Sequence, residues 1–182
     1  MILFLTNNYE ITKPLVLWLK KKKKLIVFSD KIDLKTLKKL NPDLIISYNY
    51  RHIIGKEVLK KYKIINLHIS YLPYNRGAHP NFWAYVEHTP VGVSIHYIDE
   101  GIDTGSIISQ KKVVIGNEET LRSSYKKLHF HMRILFKSIF NKLNKISPRK
   151  QKDRGTFHFS SELPVLKKGW DTKIKDLKNG NW

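Results

Sequence analysis

Three residues of this 182-residue chain, Asn66, His68 and Asp103, combine side-chain types and settings that suit acyl-transfer chemistry. Residues 66–73 read Asn-Leu-His-Ile-Ser-Tyr-Leu-Pro, Arg76-Gly77 follows, and residues 100–105 read Glu-Gly-Ile-Asp-Thr-Gly. Each stretch places an amide, an imidazole or a carboxylate where an apolar run ends, the position at which α/β proteins collect their ligands. The run 63–68 begins β-branched and then alternates, so Asn66 and His68 share one face of a strand. An amide can donate to a developing oxyanion, and imidazole titrates closer to neutrality than any other side chain. Asp103, between residues that permit sharp turns, could orient His68 and stabilise its protonated form. Each residue also has a plainer use, Asn66 and His68 in a turn and Asp103 in capping its own backbone.

The elements that must hold these residues are legible in outline. Residues 1–6, 24–29, 43–48 and 64–68 read as strands. Between them, residues 9–22, 33–40 and 56–62 read as helices, with Pro14 near the first turn of one and Asp33 capping the next. Strands alternating with helices predict an α/β fold, a Rossmann-like, mostly parallel sheet with helices on both faces. Residues 81–88 read as a helix, 91–98 and 106–115 as strands able to pair antiparallel, and 119–143 as one long helix. Beyond it, residues 146–182 read as a basic, aromatic tail packed on a domain formed by residues 1–145.

Asn66, the His-x-Ser-x-x-Pro run at His68, Ser70 and Pro73, Arg76-Gly77 and the loop from Asp99 to Gly105 together resemble the signature of folate-dependent formyltransferases. The resemblance covers residues 42–115 well and the flanks loosely, and it is nearest in look to enzymes acting on nucleotide-linked amino sugars. It implies a formyltransferase fold, 10-formyltetrahydrofolate as co-substrate, no metal, and Asn66, His68 and Asp103 as the catalytic set. It further implies that His52, Ile53, Ile54, Ile98, Asp99, Gly101 and Ile102 contact the pterin. For the acceptor, Asn7, Asn8, Tyr9, Arg76, Gly77 and His79 are the candidates. By the residues alone, Ile53 and Ile54 equally suit a core position at the start of the next helix.

The implied reaction moves a formyl group to a primary amine, and the acceptor expected is an anionic nucleotide sugar. Where family members acting on glycinamide ribonucleotide have a Gly-Asn-rich loop, this chain reads Leu-Thr-Asn-Asn-Tyr at 5–9. Methionyl-tRNA formyltransferases also resemble the chain but carry a second domain, for which 182 residues are expected to be too short. A formyltetrahydrofolate hydrolase and a non-catalytic, basic nucleic-acid-binding protein remain as other readings.

The chain carries 34 Lys and Arg against 15 Asp and Glu, a formal charge of +19, which favours anionic partners. The same excess of dispersed lysines also suits a merely solvated surface. There is no cysteine, which excludes disulfides and thiolate metal sites, and no apolar run long enough to span a bilayer. A cytoplasmic protein without membrane partners, with a homodimer as one candidate assembly, is the expectation. His129 and His131, two apart on a helix, face apart and predict no metal site. Ser70 reads as a turn residue and His96 as a hydrogen-bonded structural histidine. Phe157, Phe159 and Trp170 suit pinning of the tail better than stacking on a base.

Overall fold

A computed structural model describes residues 1–152 and 154–182. Seven strands belong in chain order to β1 (Ile2–Leu5), β2 (Leu25–Phe28), β3 (Leu44–Ser47), β4 (Ile64–His68), β5 (Arg76–Gly77), β6 (Gly92–Tyr97) and β7 (Ile107–Lys112). The helices are α1 (Tyr9–Lys20), α2 (Leu34–Leu40), α3 (Lys56–Leu59), α4 (Pro80–Val86), α5 (Leu121–Ile139) and α6 (Ile174–Lys178), and a final two-residue strand is β8 (Phe157–His158). The main sheet runs β2-β1-β3-β4-β6-β7, parallel from β2 to β4 and antiparallel beyond it. This is the mostly parallel, Rossmann-like sheet that the alternation of elements predicts.

Why the chain folds this way is clearest in β1, whose four apolar residues are all fully buried, as a central parallel strand covered on both faces requires. Its side chains alternate between two apolar layers. Ile2 and Phe4 join Leu15, Val16 and Leu19 of α1 and Leu128, Met132 and Phe136 of α5 on one face. Leu3 and Leu5 join Leu37 of α2 and Val58 of α3 on the other. The helical spacing 12, 15, 16, 19 is that of a single buried stripe, and Pro14 sits on the exposed side of α1. Asn8 caps α1 by accepting from the Ile11 N–H, and Asp33 caps α2 by accepting from Thr36 at 2.7 Å. Thr120 and Ser123 close a reciprocal capping box on α5.

Several boundaries differ from expectation, among them the helices expected over 9–22 and 56–62, which end at Lys20 and Leu59, and two of the differences have plain physical reasons. The long helix leaves α geometry at Ile139 and continues to Lys145 as a 3₁₀ turn, in a stretch whose Asn141 and Asn144 are weaker helix formers. Strand pairing ends at Lys112, past which Val114 is exposed.

The segment after Ile146 follows the surface and adds structure of its own. β8 pairs in parallel with β5, and α6 packs Ile174 and Leu177 against Phe82, Tyr85 and Leu121. Trp170 packs its ring edge-on against Tyr125, and Phe157 against Phe159, whose ring is largely exposed. No helix among the described residues is long and apolar enough to cross a membrane.

Candidate active site

In β4, Ile65 and Leu67 point into the α1/α5 layer, whereas Ile64 points into the opposite one. Asn66 and His68 continue the face of Ile64 past the end of its apolar packing, where the sheet opens at the carboxyl ends of its parallel strands. The loop between β6 and β7 folds over this edge and brings Asp103 to both residues.

The Asp103 carboxylate is the hub. Its Oδ1 accepts from Asn66 Nδ2 at 3.1 Å, and its Oδ2 accepts from the backbone N–H of Gly77 at 2.9 Å. His68 Nδ1 lies 3.6 Å from Oδ2, and His96 Nε2 lies 3.4 Å from Oδ1. His96 is the buried, hydrogen-bonded histidine that the sequence suggests, and it belongs to the cluster, a placement that the sequence reading did not give. The signal was the antiparallel register, which sets His96 directly opposite Asn66. His96 donates from Nδ1 to the Tyr97 carbonyl at 2.8 Å, leaving Nε2 to accept from Asn66 Nδ2 at 3.3 Å. Both amide hydrogens of Asn66 are thus engaged.

Loop chemistry shapes the carboxylate. Asp99 accepts from the Gly101 N–H at 3.1 Å and from the Thr104 hydroxyl, which closes the turn. Gly105 lies so close to the Tyr97 carbonyl that a Cβ would come within 1.9 Å of it, so no other residue fits there. Asp103 itself adopts φ +53°, a left-handed conformation that costs a non-glycine residue about 1–2 kcal/mol and must be imposed by its contacts.

The electrostatics divide the roles. Burial alone would raise the Asp103 carboxyl, but the positive charge that His68 carries when protonated, the contact with His96 and the Gly77 N–H outweigh it and hold the group well below the usual carboxylate range. His68, 8% exposed, is pushed below its ordinary value by burial, against the pull of Asp103. It is therefore neutral at pH 7. Its Nε2–H donates to the Asn75 carbonyl at 3.2 Å, which leaves Nδ1, on the Asp103 side, to take up a proton.

These residues line a cavity of about 900 Å³. Its lining includes His52, Ile53 and Ile54 from the loop after β3 and Ile98, Asp99, Gly101 and Ile102 from the loop after β6. Ile54 is 8% exposed and packs in the core, while Ile53 on the rim is 81% exposed. The lining also includes Gly77, His79 and the start of α4, together with Tyr125, Leu163, Leu166 and Trp170. Burial lowers the affinity of His79 for a proton.

Other candidates lie elsewhere. Asn7 joins loops, donating to the Ser29 carbonyl and accepting from the Arg51 N–H, and Asn8 serves as a helix cap. Neither these two nor Tyr9 lines the cavity, although Asn8 borders a smaller cleft beside Tyr125 and Trp170. Arg76 points away from the cavity to Gln151 and the Arg154 carbonyl. Ser70 bonds the Tyr74 carbonyl within its turn. His129 pairs with the buried Tyr48 hydroxyl. Among the described residues no group of three or more His, Asp or Glu is placed to hold a metal ion.

The chain matches the family model described as formyl transferase over residues 18–139. It is similar to the methionyl-tRNA formyltransferase of Thermodesulfovibrio yellowstonii, 35% identical over 156 residues covering 80% of this chain and 49% of that protein. It is also similar to the bifunctional polymyxin resistance protein ArnA of Wigglesworthia glossinidia brevipalpis, 41% identical over 118 residues covering 60% of this chain and 18% of that one. The chain thus spans about half the length, or less, of these curated relatives. Among solved structures it is similar to the formyltransferase PseJ from Anoxybacillus kamchatkensis in complex with UDP-4,6-dideoxy-4-formamido-L-AltNAc and tetrahydrofolate. That likeness has a TM-score of 0.89 and 38% identity, over 100% of this chain and 99% of the other.

Proposed function

We propose, because this chain belongs to the formyl transferase family, that it moves the formyl group of 10-formyltetrahydrofolate to the amino group of a nucleotide-linked amino sugar in the cytoplasm. The observation that carries the acceptor is the likeness to PseJ along nearly the whole of both chains, because that protein holds a formamido sugar nucleotide together with tetrahydrofolate. The overall charge of +19 suits the diphosphate of such an acceptor. We assign catalysis to residues 1–145, with residues 146–182 as a tail on that domain.

In this reading the pterin lies between the loop of His52, Ile53 and Ile54 and the loop of Ile98, Asp99, Gly101 and Ile102. The amino sugar approaches past Gly77 and His79. The amine nitrogen attacks the formyl carbon, and the carbonyl electrons move onto oxygen. Asn66 donates to this oxyanion by giving up its 3.3 Å bond to His96 for a charge-assisted one, while its bond to Asp103 keeps the amide in place. The amine proton passes to His68 Nδ1, directly or through water, and Asp103 stabilises the imidazolium. The bond from carbon to the folate nitrogen then breaks, its electron pair goes to that nitrogen, and the proton held by His68 follows. The products are a formamide and tetrahydrofolate, and His68 returns to its neutral form.

A second acceptor has specific support, since the curated relative covering 80% of this chain is a methionyl-tRNA formyltransferase. Incubating the purified chain with 10-formyltetrahydrofolate and a panel of UDP- and dTDP-linked amino sugars, or with initiator methionyl-tRNA, separates the possibilities. Release of tetrahydrofolate that depends on an amino-sugar nucleotide, with the formamide found by mass spectrometry, is the expected result. Dependence on the tRNA would replace the sugar as acceptor, release without any amine would indicate hydrolysis, and no release under any condition would overturn the proposal.

A further inference from the structure

Gln151 lies outside the cavity, yet its amide joins the two loops that build the carboxylate site. Nε2 donates to the backbone carbonyls of Asp103 and Gly105, both at 2.8 Å. Oε1 accepts from Arg76 Nη2 at 2.6 Å and Nε at 3.1 Å. Two hydrogens and two lone pairs are the full capacity of a carboxamide, and all are used here.

The connections form a closed ring. Gly77, next to Arg76, donates its backbone N–H to the Asp103 side chain at 2.9 Å, while Gln151 holds the backbone of the same aspartate. Asp103 is thus gripped at its carboxylate from one loop and at its carbonyl from the tail. Its left-handed conformation is only one of those open to an aspartate, and not the favoured one, so relaxing the carbonyl grip lets the carboxylate swing away from His68 and Asn66.

We infer that Gln151 is a positioning residue for formyl transfer, fixing the Asp103 backbone so that the carboxylate meets His68 and Asn66 together. The inference rests on the reading of Asp103 as the catalytic carboxylate. A different account would make Gln151 only a fastener of the tail, which is also held by the β5–β8 pairing and by Thr156, whose hydroxyl accepts from the Asn75 N–H at 2.8 Å.

Gln151→Glu separates the two accounts. Glutamate keeps an acceptor for Arg76 and strengthens that link, but it cannot donate to the Asp103 and Gly105 carbonyls and repels both. As a positioning residue, Gln151→Glu lowers kcat roughly ten- to hundredfold with both KM values nearly unchanged, the cost of a small misplacement at a reacting centre. The titration midpoint of His68, followed by ¹⁵N NMR, should fall at the same time because Asp103 no longer supports its charge. Glu162→Ala, which loosens the tail beside β8 by removing the acceptor of the Phe159 N–H and the partner of His158 without touching Asp103, His68 or Asn75, should leave kcat near that of the unmodified chain. Should Gln151→Glu fail to fold, Gln151→Met, which preserves length and loses every bond, takes its place with the same expected result.

Unchanged kcat in the glutamate variant, or an equal loss in Glu162→Ala, overturns the inference. Asp103→Asn measured in parallel keeps the two claims apart. If that variant retains full turnover, the catalytic reading itself fails; if it is inactive while Gln151→Glu is unaffected, only the role of Gln151 fails.

Discussion

Asn66 and His96 stand opposite one another across the antiparallel β4–β6 pair, and their side chains meet at 3.3 Å beside the Asp103 carboxylate. The sheet ladder thereby sets the angle at which the Asn66 amide faces the cavity. His96 is 1% exposed and lies against Asp103 through Asn66 as well as directly, so in the proposed mechanism it supports the reacting groups and is not one of them.

His96→Phe keeps most of the ring volume and removes both nitrogens. Asn66 loses an acceptor, and kcat should fall about tenfold or more while acceptor KM stays within about twofold. Steady-state kinetics check this, and an unchanged kcat would reduce His96 to a filler of the sheet.

Gly77 has φ +82°, and a Cβ there would come within 2.4 Å of the His158 carbonyl. Gly77→Ala must therefore push β8 aside or shift the N–H that reaches Asp103. Both strain and displacement are expected, with a loss of roughly 1–3 kcal/mol in stability and a fall in kcat beyond what that loss explains at 25 °C. Denaturant melts and kinetics on the same preparation test this.

Ile53 and Ile54 adjoin in sequence but differ in setting. Ile54 packs against the α2/α3 layer, so Ile54→Ala should cost about 2–4 kcal/mol in stability. Ile53→Ser, on the open rim, should barely change stability but raise KM for 10-formyltetrahydrofolate several-fold, as expected when about 1 kcal/mol of apolar contact with the ligand is lost. Equal effects of the two variants on KM would remove Ile53 from the folate wall.

The sequence makes some of this structure legible and hides the rest. The 64–68 strand is found at its true limits because a β-branched run turns abruptly into an alternating polar pattern there. The caps at Asp33 and the stripe of α1 are local signals and read directly. The place of His96 depends instead on the register that sets it opposite Asn66, 30 residues away in sequence, information that no local pattern carries. β8 is two residues long with no buried apolar side chain, and Gln151 sits in a basic stretch that reads like any solvated segment. Arg76, expected at the acceptor, instead faces the tail because Gln151 and the Arg154 carbonyl satisfy its guanidinium.

His129 offers a prediction on stability with pH. Burial and the charge of Arg133 push its pKa from 6.5 to about 3, so the folded chain keeps it neutral where the unfolded chain binds a proton. The contribution is whole above pH 6.5 and is lost as pH falls toward 3, at about 1.4 kcal/mol per pH unit. His129→Asn retains an acceptor for the Tyr48 hydroxyl but does not titrate. Its stability should therefore vary less than that of the unmodified chain between pH 6 and pH 4, compared by urea melts. Parallel slopes would contradict the assignment.

The most direct test of the account follows a ¹³C-labelled formyl group from 10-formyltetrahydrofolate onto an amino-sugar nucleotide by NMR, in the unmodified chain and in His68→Ala at equal concentration. Label should appear as a formamide with the unmodified chain and at least about a hundredfold more slowly with the variant, whose circular dichroism stays native. Label transfer at the same rate by both proteins would contradict it.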